Sequence, residues 1–227
     1  MRDGISALAT LPLARLYANT ALFAACTVVA QVGTSATAAY AFARLRFPGR
    51  ERLFAAVLAL LTVPAIVLLV PRFLMIDALG WVDTYPGLVV TDLVSVWGIF
   101  LLRQSFLAVP RDLEDAARLD GAGEWTIFRR VVLPQARPAL AALGVIAFAE
   151  QWKSFLWPLV VMRSPERQLV EVGLAQLHGA FHGNWAYELA VAGAAGLPTL
   201  VLYVVGQRQF VRGVEMTGAA VRGGRGW

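Results

Sequence analysis

The chain has 227 residues, 58% of them hydrophobic and only 15% charged, with a formal net charge of +5. Soluble domains run at about 45–50% apolar and about 25% charged, so a water-solvated core cannot hide this much apolar surface and the expected solvent is lipid. The basic residues are nineteen arginines and the single Lys153, and the arginines are spread between apolar runs rather than along one face, which reads as membrane topology and excludes a nucleic-acid footprint.

Five apolar runs are long enough to cross a bilayer as helices, which takes about 20 residues each. The expected fold is therefore all-α, a polytopic transmembrane helical bundle. The first run is Leu16–Leu45. It is too long for a signal-peptide core, and its arginine cluster (Arg44, Arg46, Arg50, Arg52) follows it instead of preceding it. Cys26 lies alone within it, so no disulfide framework can be built.

The second run, Leu53–Ile76, contains Pro64 and Pro71, which predict a kink or a broken helix. Asp77–Gly87 reads as a loop with interfacial Trp81 and Tyr85. The third run is Leu88–Leu107 and the fourth Ala139–Met162. Arg163–Glu188 reads as a polar loop, Leu189–Val205 as the fifth span, and a tail with Arg208, Arg212, Arg222 and Arg225 closes the chain.

If the charged module between the third and fourth runs is cytoplasmic, fourteen arginines lie inside and five outside. The positive-inside bias favours that orientation. It places the C-terminus inside and the N-terminus outside, and a sixth span ahead of Met1 would remove the need to translocate Arg2 and Arg15.

The charged module spans 111–134. Pro110 suits the start of a helix, and Asp112, Glu114 and Asp115 crowd a first turn where the helix dipole favours negative charge. The expected helix is Arg111–Asp120, closed by Gly121 in the left-handed conformation. A second helical piece is expected over Glu124–Val132, ended by Pro134. Leu113, Ala116, Ala117 and Asp120 fall on one helical face, which the two alanines keep low enough for another protein to approach. Spacing alone leaves a solvated helical linker equally open.

The stretch resembles the EAA loop of ABC-transporter permeases, whose pattern is E-A-A, three residues, G, nine residues, I, one residue, L-P. Here Asp115-Ala116-Ala117, Gly121, Val131 and Leu133-Pro134 fall on every spacing, with Asp115 for Glu and Val131 for Ile. "DTYPGLVV", "GIFLLRQSFLAVPRDLEDAARLDGAG" and "FLWPLVV" are similar to the carbohydrate-uptake branch of that family, the maltose-permease type, and the similarity runs from Leu11 to Gly213.

The resemblance implies a type-1 permease domain over 14–213, six spans in a complete member, and a basic cytoplasmic tail over 214–227. It implies that the loop is a coupling helix docking on a cytoplasmic ATPase, with Asp115, Ala116, Ala117, Asp120, Gly121, Leu133 and Pro134 as the coupling residues. The implied partners are a second permease, two ATPase subunits, an extracytoplasmic solute-binding protein and the bilayer of the cell membrane. The implied cargo is a sugar or related polyol.

No G-x-x-x-x-G-K-[ST] occurs and Lys153 is the only lysine, so no P-loop can form in this sequence. ATP and Mg are expected on the ATPase subunits, with no cofactor and no enzymatic chemistry in this chain. His178 and His182 are four apart, but Gly179 replaces the Glu of a metalloprotease motif, and an ordinary external loop is expected.

Glu150 and Lys153 lie three apart in the expected fourth span, where isolated charges cost about 2.5–3.5 kcal/mol each. Either they line the solute path with Gln151, Trp152, Ser154 and Trp157, or they form a packing pair. Family members commonly carry Asn after this Trp where Lys153 stands. Asp92 is a similar, weaker path candidate. The reading from another class is a membrane scaffold or permease remnant that docks an ATPase without transporting.

Overall fold

The structure is a computed structural model that describes residues 13–180, 193, 196–201 and 204. Among these residues the regular elements are all helical. Helix α1 is Leu13–Arg44, 32 residues long. Three of its threonines return hydrogen bonds to the preceding turn, Thr20 to Leu16 O, Thr34 to Ala30 O and Thr37 to Gly33 O, at 2.8, 2.9 and 3.1 Å, which pairs those hydroxyls within the helix.

The second run is broken, as its prolines predict. Helix α2 (Arg50–Ala59) tightens into a 3-10 turn at Leu60–Thr62. Val63 is then extended, as the residue before a proline prefers, at Pro64. A 3-10 turn at Ala65–Leu68 leads into α3 (Leu69–Ala78). Pro71 does not break α3, because it sits in the first turn where a missing N–H costs least.

Two further runs expected to be continuous are not. The third divides into α4 (Tyr85–Val89), a 3-10 turn at Val90–Asp92, and α5 (Val96–Leu107). The side chains of Thr84 and Ser95 cap the two helices by accepting from Gly87 N and Gly98 N, and those caps set the starts. The fourth divides into α9 (Arg137–Trp152) and α10 (Leu156–Val161).

The Arg163–Glu188 stretch is also not simply a loop. It holds a 3-10 turn at Pro165–Arg167 and helix α11 (Val170–Ala180), whose start buries Leu169, Val170, Val172 and Leu174. His182 and the side chain of His178 lie outside the described residues, as do most of the fifth span and the 214–227 tail.

Among the described residues α1 alone is long and apolar enough to cross a membrane unbroken. Three more spans count if α2 with α3, α4 with α5, and Glu124–Gln135 with α9 are each taken as one broken span.

The helices divide into two compact units. One gathers 13–28, 65–93 and 147–180, with cores around Phe23, Ile76, Leu88, Trp157 and Val161 and around Leu16, Trp152, Val170 and Leu174. The other gathers 29–64 and 94–146, with a core of Ala39, Tyr40, Leu102, Phe106, Phe128 and Leu143. The charged module lies wholly in this second unit.

Candidate functional site

Helix α6 (Arg111–Leu119) begins after Pro110 and carries Asp112 and Glu114 in its first turn. It ends as the sequence predicts. Gly121 has φ +82°, its N–H donates to Arg118 O at 3.0 Å, and the Ala122 N–H donates to Ala117 O at 2.9 Å. That pair of bonds is the Schellman closure, which needs a left-handed residue at this position. After Gly123 the chain forms α7 (Glu124–Ile127), a five-residue π turn at Phe128–Val132, and α8 (Leu133–Gln135). Pro134 therefore sits inside a helical turn rather than stopping one. Lacking an N–H, it cannot donate to the carbonyl four residues back, and the widened turn precedes it.

The inward face of α6 is charged. Glu114 is buried, and its Oε1 lies 2.8 Å from Nε of Arg44, each side chain 3% exposed. This is a charge contact rather than an aligned hydrogen bond. The same guanidinium donates through Nη2 to the carbonyls of Phe106 and Val109, both at 2.6 Å. Arg44 thus ties the last turn of α1 to the end of α5 and to α6.

One turn earlier on α1, Tyr40 donates its hydroxyl to Glu124 Oε2 at 2.7 Å. Arg118 joins the two contacts, bonding Glu124 Oε1 at 3.0 Å and Asp115 Oδ1 at 2.9 Å and lying 3.6 Å from Glu114. The Glu124 bond holds the Arg118 guanidinium above its ordinary pKa. Sequence reasoning assigned Glu114 to the dipole and Arg44 to topology and missed their pairing. The available signal was that Tyr40 and Arg44 lie four apart at the end of a helix and so share a face.

The outward face of α6 is mixed. Leu113, Ala116 and Asp120 are exposed and Leu119 is 91% exposed. Asp115 is exposed and held by Arg118. Ala117 departs from the single approach face expected for it, being half-buried against the core with Val131 and Leu133. Pro134 is half-buried.

The residues grouped as a solute path are placed differently from one another. Glu150 lies near the end of α9, while Lys153 stands in the break beyond it, so the two do not share one continuous helix. Both are exposed, and no ion pair joins them. Trp152 is 4% exposed and stacks on Phe148 at 5.6 Å. Trp157 is 6% exposed and donates its indole N–H to Leu88 O at 3.0 Å. The Arg72 guanidinium, on α3, lies 4.3 Å from the Trp157 ring centroid and bonds Asp92 at 2.8 Å, so Asp92 is an ion-pair partner. Among the described residues no cluster suits a metal ion.

Comparison with known proteins gives the family. Residues 31–212 match the family described as binding-protein-dependent transport system inner membrane component. The chain is 34% identical over 194 residues to the arabinooligosaccharides transport system permease protein AraQ of Bacillus subtilis (strain 168), covering 85% of this chain and 68% of that one. It is 33% identical over 219 residues to the sn-glycerol-3-phosphate transport system permease protein UgpE of Agrobacterium fabrum (strain C58 / ATCC 33970), covering 96% and 78%. It is 34% identical over 192 residues to the lactose transport system permease protein LacG of Rhizobium radiobacter, covering 82% and 70%.

In structure it is similar to a chain of a bacterial ABC transporter involved in the import of the acidic polysaccharide alginate, with TM-score 0.78, 25% identity, and coverage of 91% of this chain and 79% of that one. The MetNI methionine ABC transporter in an inward-facing conformation shares the fold at TM-score 0.63 and 17% identity, covering 88% and 94%. A motif on every spacing, a matching fold and relatives across most of its length place the chain in one family: it is an inner membrane permease component of the binding-protein-dependent ABC transport systems.

Proposed function

We propose that this permease carries a sugar or related polyol inward, driven by ATP hydrolysis on separate subunits to which α6 couples. The observation that carries the coupling role is the division of α6 into two faces. Its inward face is bound to α1 through the Glu114–Arg44 pair, with Arg118 bracing Glu114 from within the helix, and its outward face offers Leu113, Ala116 and Leu119 to solvent. A helix held on one side and open on the other can move as a body when a docked partner moves, which is what coupling requires.

On this reading α6 and the C-terminus are cytoplasmic, as the arginine distribution favours. A second permease completes the pathway, two ATPase subunits hold ATP and Mg, and an extracytoplasmic binding protein delivers the solute. The carbohydrate and polyol names of the relatives support the cargo class.

The test is co-purification of the transporter with Ala116→Arg and Leu119→Arg, which add bulk and charge to the outward face alone. We expect ATPase recovery to fall while the second permease stays bound and the melting temperature holds. Undiminished ATPase recovery in both variants would reduce α6 to a linker. The cargo is tested separately, by uptake of labelled oligosaccharides and polyols in cells with and without the chain.

A further inference from the structure

Where α1 ends, the chain turns through Phe47, Pro48 and Gly49 into α2, and a cavity of about 910 Å³ opens between this turn and Arg111 at the start of α6. Its charged lining is Arg44, Arg46, Arg50, Arg52, Arg111 and Glu51. The single carboxylate is already shared, by Arg50 at 2.8 Å and by Arg103 at 3.1 Å. Arg44 is neutralised by Glu114. Arg46, Arg52 and Arg111 form no ion pair among the described residues, so three guanidinium charges face one concavity without a counter-charge.

We propose that this cavity binds the phosphate of an anionic phospholipid headgroup. Guanidinium forks match phosphate oxygens in geometry and charge, and arginine is favoured over lysine where such a match is made. What points to a lipid rather than a soluble phosphate is the surface that leaves the cavity. One residue beyond Arg52, Leu53 begins an exposed apolar face of α2 that continues through Ala56 and Leu60. A headgroup in the cavity therefore has an apolar track for its acyl chain. Basic pockets beside membrane helices on the cytoplasmic side are suited to anionic headgroups. The inference rests on the membrane placement of the family and on the cytoplasmic placement of α6 proposed above, not on the proposed cargo.

The test uses the purified full-length chain with its co-purifying subunits. Native mass spectrometry counts adducts of phosphatidylglycerol and phosphatidylcholine of equal chain length. The Arg46→Gln/Arg52→Gln pair is compared with Arg129→Gln/Arg130→Gln, which removes two exposed arginines elsewhere. We expect a phosphatidylglycerol preference of at least about tenfold that collapses toward parity in the first pair and survives in the second.

An Arg46→Lys/Arg52→Lys pair, which keeps the charge and loses the fork, is expected to fall between them and serves if the Gln pair fails to fold. A preference that is absent from the wild-type protein, or unchanged in the Gln pair, overturns the proposal. Displacement of the lipid by inorganic phosphate would assign the cavity to a soluble anion and also overturn it. So would loss of ATPase from the Gln pair with lipid preference intact, which would make the cavity a protein-docking surface.

Discussion

Arg44 and Glu114 lie 2.8 Å apart with both side chains almost fully covered, joining α1 to α6. Removing one partner leaves the other charge stranded, which costs far more than the pair itself contributes. Glu114→Ala is therefore expected to destabilise the protein by about 3 kcal/mol. Two hydrogen bonds from Arg44 to Phe106 and Val109 remain, which keeps the cost near the lower end of the range for such pairs. Arg44→Met with Glu114→Leu is expected to cost less than the sum of its singles, because it leaves no buried charge behind. Thermal melts of the four proteins as a double-mutant cycle measure the coupling, and strict additivity would show that the contact carries no energy.

Gly121 isolates the conformational part of the α6 terminus. Nothing lies within 4 Å of a Cβ built there, so a side chain has room and the penalty comes from φ +82° alone. Gly121→Ala is expected to cost about 1–2 kcal/mol, and Gly121→Asn less, since Asn tolerates the left-handed region. Amide exchange at Gly121 and Ala122, whose N–H groups close the motif, should accelerate in the same order. Equal exchange in all three proteins would mean that the closure is not what ends the helix.

These two sites show what was legible in the sequence. Gly121 could be placed in advance because a left-handed residue after a polar helix has few alternatives to glycine. The break at Pro64 was visible for the same kind of reason, since backbone chemistry is written in one residue. The interruptions at 93–95 and 153–155 were not, because neither stretch holds a proline or glycine to mark a turn, and Asp92, Ser95, Glu150, Lys153 and Ser154 read as isolated polar positions inside apolar runs. That is why Glu150 and Lys153 were expected on one helix and are not. The Arg44–Glu114 pair was hidden by separation of 70 positions along the chain, each residue having a sufficient local explanation of its own.

Gly98 is a position where size, not conformation, decides. A Cβ there would stand 2.8 Å from Ser35 Oγ and 3.0 Å from Leu143 Cδ1, so α5 approaches α1 and α9 through the missing side chain. Close approach through small residues is a main source of helix association in membranes. Gly98→Ala is expected to destabilise by about 1 kcal/mol and Gly98→Val by about 3 kcal/mol, the range for overpacking. Leu143→Ala combined with Gly98→Ala should recover part of the loss if the clash is the cause. No recovery would place the defect in α5 itself.

Asp83 gives a pH-dependent test outside the membrane helices. Its Oδ1 accepts from the backbone N–H groups of Arg163 and Ser164, both at 3.0 Å, its Oδ2 accepts from the Ser164 hydroxyl, and Arg167 pairs with it at 3.2 Å. The Ser164 hydroxyl bond, followed by the Ser164 backbone bond, holds the Asp83 carboxyl below its ordinary value. A carboxylate whose pKa is lowered by folding stabilises fully above its unfolded pKa, about 3.9, and loses that contribution as pH falls through the folded value. Protection of the Arg163 and Ser164 amides is therefore expected to be flat in pH from neutrality down to about 5 and to fall below about 4 once intrinsic exchange is accounted for. In Asp83→Asn the protection should be weaker at neutral pH and should lack the acid-dependent fall, because the titrating group is gone. An acid fall of equal size in both proteins would assign the titration to another carboxylate.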